Sequence, residues 1–521
     1  MFSPGILILI MKNILLFWFV FITVQTGAQE RFFEFLPGWR NYSIIEKDTG
    51  YYSVGFSSIG FSEHIYQFSF SNHQGNIEDS WSFNIDSASV TSSMGYTQGL
   101  LTLPTSNYIT GLAVGGTSEK VFGTLIEFDE KFQDTIQTVI YDLSLDTRME
   151  LIIKNSSGNL IVAGEQEPTL YNYYPYLYEM DLQGNILWTK SFSCGTDCEL
   201  FPNHILQASD GGYFFTCAEV HFNDNLYVVA EKTAIIKTDS LGNEQYRLHP
   251  GQPDLFAVRG WVLPTDDGNY ITAYSDPMQG VLDENTQVNP DRAIWLQKFD
   301  INGEEIFDIS LINFLPLVPG FDDGYPYTIS QMISAYDDII VVGYTGLEGF
   351  ILKVNQNGEG IWFRIITPPQ SEGNDAGGEY TRIYSVTQTS DNGYIMAGEY
   401  FSSPGNIYPE GIQTAIAVKV DEYGCLEPGC QIGDAVPELT KVNLGLLVYP
   451  NPATETVNIS VAENLKVEKV RVYEVMGRVV LEKRMAENKI MLDIGDLSPG
   501  IYLIEVETKD GLREVKRIVI E

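Results

Sequence analysis

One unit recurs seven times along this chain, and it constrains the fold more than any other feature. The unit opens with a turn and a short strand that ends in small residues. It reads DTGYYSVG (48–55), SNYITG (106–111), SSGNLIVAG (156–164), SDGGYFFTCA (209–218), TDDGNYITAY (265–274), YDDIIVVG (336–343) and SDNGYIMAG (390–398). An apolar strand, an Asx-x-x-Gly turn and a further strand follow each time. The turn glycines are Gly75, Gly184, Gly242, Gly303, Gly358 and Gly424, and Phe132 stands at the equivalent place in the second repeat. Periodic repetition of a several-stranded unit means stacked sheets, each burying its two apolar faces against its neighbours. Closing the stack into a ring also buries the end faces. The expected fold is therefore all-β, a seven-bladed β-propeller over residues 29–430. An eight-bladed ring and an open array are the alternatives. The abundance of Tyr (30), Phe (28) and Gly (47) suits many short strands joined by tight turns.

Two columns accompany the repeat. Trp188, Tyr246, Phe307 and Trp362 each lie four residues beyond a turn glycine, and Trp81 stands near the first. They read as packing positions between adjacent sheets; the alternative is a platform for sugars. Lys237, Lys298, Lys353 and Lys419 recur two residues before the turn Asx. They read as a solvated strand face.

The two ends of the chain differ from its body. Lys12 precedes the apolar run Ile14–Val24, and small residues follow, ending at Ala28 before Gln29. This is the pattern of a cleaved signal peptide over residues 1–28, with Met11 as an alternative start and Ala28/Gln29 as the cleavage site. The run is too short for a bilayer core, which needs about 20 residues, so no transmembrane anchor is expected. The formal charge is −38. Residues 440–521 hold 12 Lys and Arg against 13 Asp and Glu, so −37 of that charge lies before them. A field of this sign excludes nucleic acid as a partner. The change in charge places a linker at 431–444 and a second domain at 445–521.

That second domain reads as about seven short alternating strands, a small Ig-like β-sandwich. LLVYPNPATETVNI (446–459), VRVYEVMGRVV (470–480), LSPGIYLIEV (497–506) and the terminal KRIVIE (516–521) resemble the type A sorting domain of type IX secretion system cargo. The resemblance rests on Tyr449, Pro450, Asn451 and Pro452, on Gly477, on Pro499, Gly500 and Tyr502, and on the basic pair Lys516 and Arg517. It implies recognition by an outer-membrane translocon, usual removal of the domain, and release of the body or its attachment to surface lipopolysaccharide. The protein would then be secreted or held at the cell surface, outside the outer membrane. The body likewise resembles the Asp-Gly-Gly-Tyr-type propeller repeats of other exported bacterial proteins, motifs that carry structure and no activity.

In an exported chain, the close pairs Cys194/Cys198 and Cys425/Cys430 favour disulfides; zinc is the alternative, without a histidine at ligand spacing. Cys217 reads as a buried core thiol. No HExxH, GxSxG, Walker or GxGxxG pattern is present, and no catalytic, cofactor-binding or metal-ligating residue stands out. The Asx-x-x-Gly turns lack the ligand spacing of an EF-hand and read as plain turns, with calcium the weaker reading. Segments 165–176, 219–231, 275–291, 312–328 and 399–413 are long insertions suited to ligand contact. The function expected is a non-enzymatic binding protein for a glycan or protein ligand, whose channel mouth holds no convergent titratable groups. The alternatives are a polysaccharide hydrolase or lyase, which requires such convergence, and a structural or adhesive surface component.

Overall fold

The computed structural model describes residues 30–520, apart from 431–445 and short segments of which 276–293, 316–326 and 369–378 are the longest. The signal-peptide residues, with Ala28 and Gln29, lie outside the described residues, as do Asn451, Gly477 and Pro499. The chain is all-β and divides into two compact units at Pro428/Gly429.

The first unit contains seven antiparallel sheets, each built in the order first–second–third–fourth strand. Blades one to six run consecutively, beginning at Arg40, Ala88, Asp146, Cys198, Val258 and Tyr327. In blade two the first position is shared by two short strands, Ala88–Thr91 and Leu100–Thr102. The seventh blade takes three strands from Glu379–Gln388, Tyr394–Ser402 and Ile412–Val420, and its fourth from the other end of the chain. Phe32–Leu36 pairs antiparallel with Ile412–Val420, from Phe32↔Lys419 to Leu36↔Ala415. Arg31 fastens this closure with a fork onto Asp421, at 3.1 Å from Nε and 2.5 Å from Nη2. Blade one then packs on blade seven, so the ring is shut and the two end blades bury their faces against each other. First strands of neighbouring blades pack against one another from blade three to blade seven and on to blade one, which puts them on the axis.

The sequence columns now acquire physical causes. Six of the turn positions are Gly with φ between +73° and +87°, and Phe132 holds the same left-handed conformation at +59°. Its ring is buried against Tyr52, Phe68 and Phe128, which compensates for the strain. The aromatic column reaches across to these turns: a Cβ on Gly242 would meet Trp188 at 2.7 Å, on Gly303 Tyr246 at 2.9 Å, and on Gly424 Trp362 at 2.6 Å. Trp81 Nε1 donates to the Phe132 carbonyl at 2.8 Å. These aromatics are inter-blade packing, as the repeat implied. The Asx oxygens accept N–H groups of their own turns, as Asp239 Oδ1 does from Leu241 and Asn243 at 2.9 and 2.8 Å.

The lysine column is not solvated. Lys237 and Lys419 have no exposed side-chain surface, and Lys298 has 5%. Each pairs with an aspartate in the first turn of its own blade: Lys237–Asp210 at 2.7 Å, Lys298–Asp267 at 2.8 Å, Lys353–Asp338 at 3.1 Å and Lys419–Asp391 at 3.0 Å. A strand position facing a neighbouring blade is buried whatever its chemistry, so the charge must be paired there.

In the second unit a three-stranded sheet (Leu447–Tyr449, Thr456–Ser460, Lys489–Asp493) and a four-stranded one (Val467–Glu474, Val479–Arg484, Gly500–Thr508, Arg513–Ile520) share one core. Val457, Ile459 and Leu492 meet Val470, Val472, Ile504 and Ile518 there. Tyr502 is buried and donates to the Ser498 carbonyl at 2.8 Å; Tyr449, Pro452 and Lys516 are exposed.

Candidate active site

Antiparallel order sorts the connections onto two faces of the ring. Turns between first and second strands, and between third and fourth, share one face. Second-to-third loops and blade-to-blade connections share the other. All five long insertions join strand ends on this second face; most of their own residues lie outside those described. Loops on a rigid scaffold are where binding and catalytic groups gather.

The repeat itself builds positions for such groups near this face. In blades one, three, six and seven the axial strand carries a one-residue bulge. It leaves Tyr42, Glu150, Ser330 and Tyr384 out of the ladder. Gly55, Gly164, Gly343 and Gly398 stand opposite, and a Cβ on any of them would lie 1.9–2.0 Å from an axial carbonyl oxygen. Glycine meets that close approach in these four blades; in blade four, whose axial strand skips Asn203 in the same way, Cys217 stands opposite. Bulges re-aim side chains and recur beside functional sites. The cross-strand pair next to each glycine varies: Arg40 with Phe56, Arg148 with Glu165, Thr328 with Tyr344, and Arg382 with Glu399.

The seam between blades three and four is acidic. Glu165 is 4% exposed and lies beside Glu150 and Glu199, each 8% exposed. Burial pushes the Glu165 carboxyl well above its ordinary range, and the neighbouring Glu150 adds to that; Arg148, 3.5 Å away, opposes it. Glu199 is raised too, by burial. The Arg148 guanidinium stands 5.0 Å from the centre of the Tyr173 ring.

Blade four contributes the opposite case. Glu219 accepts from His221 Nε2 at 2.7 Å and from His249 Nε2 at 3.0 Å, with Arg247 Nη1 at 3.6 Å. Burial acts to raise its pKa, but the hydrogen bonds from His249 and His221 outweigh it and hold Glu219 at about 2. Both imidazoles are about a third exposed or more (32% and 41%). Their Nε2–H groups being committed to Glu219, each is left with Nδ1 as an acceptor when neutral. The buried thiol of Cys217 has its pKa raised by burial; Arg247 opposes this, and Glu165, Glu219 and Glu244 add to it. Glu165 and Glu219 are thus both within electrostatic reach of Cys217. Cys217 itself is fully buried, as expected.

A disulfide joins Cys194 and Cys198, with Cα atoms 5.7 Å apart, and pins the loop entering blade four. Cys198 Sγ is 3.9 Å from His221 Nε2. The sulfurs and a Glu219 oxygen lie within 4.8 Å of one another, spacing that would suit a metal ion. Sulfurs bonded to each other are not thiolate ligands, so the oxidised pair does not complete such a site. Cys425 and Cys430 are also disulfide-bonded. His221, 23 residues from Cys198 in sequence, was invisible as a neighbour because strand pairing, His221↔Cys198, brings them together. Glu150, Glu165, Glu199, Glu219 and His249 were likewise lost among 69 acidic residues and five histidines.

The second unit is decided by comparison. Residues 447–521 match the family described as secretion system C-terminal sorting domain. These residues form a type IX secretion sorting domain. It directs the chain beyond the outer membrane, and among the described residues no helix is long and apolar enough to cross a membrane. The chain is 39% identical over 75 residues to beta-agarase D of Zobellia galactanivorans, covering 14% of this chain and 15% of that protein. It is 34% identical over 65 residues to ulvan lyase NLR42 of Nonlabens ulvanivorans, covering 12% of each. The chain thus spans less than a sixth of the curated relatives it matches. A polysaccharide lyase PL25 ulvan lyase structure aligns at TM-score 0.45 and 9% identity, over 77% of this chain and 97% of that one. A Penicillium chrysogenum alpha-L-arabinanase aligns at 0.38 and 13%, over 62% and 92%. Likenesses at these scores assign no chemistry to the sorting domain's passenger.

Proposed function

We propose that the propeller is an exported enzyme acting on polysaccharide, with its acid–base groups in the seam between blades three and four. The observation that carries this reading is the contrast between two buried carboxylates of the seam: Glu165 lies among the acids Glu150 and Glu199, while Glu219 is hydrogen-bonded by His221 and His249. A carboxyl held protonated (Glu165) and one held ionised (Glu219) have the division of labour that cleavage of a glycosidic linkage uses. In this reading Glu165 donates a proton to the leaving oxygen. Glu219 orients His221 and His249, and one of their Nδ1 atoms takes a proton from water or from the sugar ring. In this reading these carboxylates and histidines are the convergent titratable groups that the binding protein expected on sequence would lack. The matched relatives, an agarase and an ulvan lyase, lend support in kind. We propose also that the exported body ends attached to surface lipopolysaccharide; its recovery in culture medium free of that lipid would count against this part.

The test is turnover by the full chain on a panel of polysaccharides, reading new reducing ends and the ultraviolet absorbance of unsaturated products. Glu165→Gln and Glu219→Gln should each lower product release by about a hundredfold or more while the fold is kept. Binding without product on every polymer bound would return the propeller to the receptor reading. Absorbing products would assign a lyase, and reducing ends alone a hydrolase.

A further inference from the structure

The seam between blades seven and one repeats the same module with the opposite charge balance. Glu399 has no exposed side-chain surface and, among the described residues, is the carboxylate that Arg40 and Arg382 share. Arg40 Nε donates to its Oε2 at 2.7 Å, Gln413 Nε2 to the same oxygen at 3.0 Å, and Tyr384 O–H to Oε1 at 2.5 Å. Arg382 Nη1 stands 3.5 Å from Oε1. Two guanidiniums thus share one carboxylate, where the equivalent pair Arg148–Glu165 has carboxylates in excess. Both guanidinium side chains reach solvent, Arg40 at 26% exposure and Arg382 at 33%.

Flat rings frame them. Arg382 lies 4.5 Å from the Tyr380 ring centre and 5.0 Å from that of Tyr344. Tyr380 stacks on Phe401 at 4.9 Å, and both are half-buried. Arg40 and Arg382 come from axial strands, at the end nearer the loop face. In a chain with 31 basic against 69 acidic residues, two adjacent arginines on one buried acid form a local positive site.

We propose that this seam binds an acidic sugar unit, one bearing a carboxylate or a sulfate. A guanidinium fork matches either anion with two parallel hydrogen bonds, and an incoming anion would complete the charge balance that Glu399 leaves at +1. The Tyr380 and Phe401 rings offer flat apolar faces of the kind that sugar C–H groups pack on, as Arg382 already packs on Tyr380. The site stands independently of turnover at blades three and four.

The test is calorimetric titration of the full chain with three oligosaccharides of equal length: an oligogalacturonate, a sulfated galactan fragment and a neutral glucan. At least one anionic ligand should bind, and its affinity should fall as salt rises from 50 to 300 mM NaCl, about as expected for screened charge. Arg382→Gln should weaken that binding about tenfold or more, with Arg382→Lys intermediate because the fork is lost. Lys154→Gln, on the opposite face, should leave it unchanged. The oligogalacturonate and sulfated arms identify which anion the site takes. Equal binding of the neutral glucan, unchanged affinity in Arg382→Gln, or no heat from either anion would overturn the proposal. Should Arg382→Gln fail to fold, Arg382→Lys and Tyr380→Ala decide instead: a loss of about threefold or more in either supports the site, and wild-type affinity in both removes it.

Discussion

Lys237 Nζ, with no exposed side-chain surface, donates to Asp210 Oδ2 at 2.7 Å and to the Thr238 carbonyl at 2.7 Å. The pair ties the first turn of blade four to its third strand, just before the Asx turn. Its counterparts recur in blades five, six and seven. In blade three, Asn155 Nδ2 donates to Glu179 Oε1 at 2.9 Å, so the acid sits at the strand position there. The tie is kept while its polarity reverses.

Which partner is removed should therefore matter, because Lys237 is fully buried and Asp210 is partly exposed. Asp210→Ala leaves a buried ammonium short of its anion and should destabilise the propeller by about 2 kcal/mol. That is below the full cost of breaking a buried pair, because Asp210 is 41% exposed. Lys237→Met fills the same space with apolar surface and should stay within about 1 kcal/mol of wild type. Urea midpoints of the two variants check the order.

Glu165 should oppose folding at neutral pH. Its folded pKa is raised above 4.5, chiefly by burial, so the unfolded chain releases a proton that the native state retains. Stability is then lost as pH rises from about 4.5 toward the folded value. Glu165→Gln should stabilise the fold at pH 7 by on the order of 1 kcal/mol, read as a higher melting temperature, and flatten this part of the pH profile. A lower melting temperature at pH 7 would mean that the carboxyl is ionised and paired.

Glu219 carries the opposite sign. Its folded pKa of about 2 lies below 4.5, so its stabilisation is complete above pH 4.5 and is lost as pH falls toward 2. Glu219→Gln should lose little additional stability across that window, whereas wild type loses the His221 and His249 hydrogen bonds. Thermal melts at pH 5, 4, 3 and 2 separate the two slopes.

His204 is buried against Trp261, with ring centres 4.4 Å apart, and burial lowers its pKa to about 3. The unfolded chain takes up a proton below pH 6.5 that the native ring refuses, so stability falls between 6.5 and 3. His204→Gln should remove this term, which is worth on the order of a few kcal/mol at pH 4. The check is the difference in urea midpoint between pH 7 and pH 4.

Ring closure depends on five residues near the start of the folded body. Deleting residues 31–36 removes the fourth strand of blade seven and exposes the edge of Ile412–Val420. The shortened chain's propeller should melt at a lower temperature than the wild-type propeller, and the chain should associate through that edge. Scanning calorimetry and light scattering read both effects.

The repeat makes the sheet architecture legible in the sequence. Turn glycines, small residues at strand ends and inter-blade aromatics are local needs of a twisted, stacked sheet, and each leaves its mark on neighbouring letters. Even the Phe132 exception was visible as an interruption, though its buried ring environment was not. The sorting domain was legible for the same reason: its segments are short, ordered and specific. What tertiary structure alone decided is which charged residues share a seam. Lys237 looked like a surface lysine because strand alternation does not say whether a face meets water or the next blade. Glu165 and Glu219 lie 54 positions apart, and Arg40 and Glu399 lie 359 apart. Ring closure and strand register bring such groups together, and a carboxylate's chemistry follows from its neighbours in space, which the order of residues along the chain does not record.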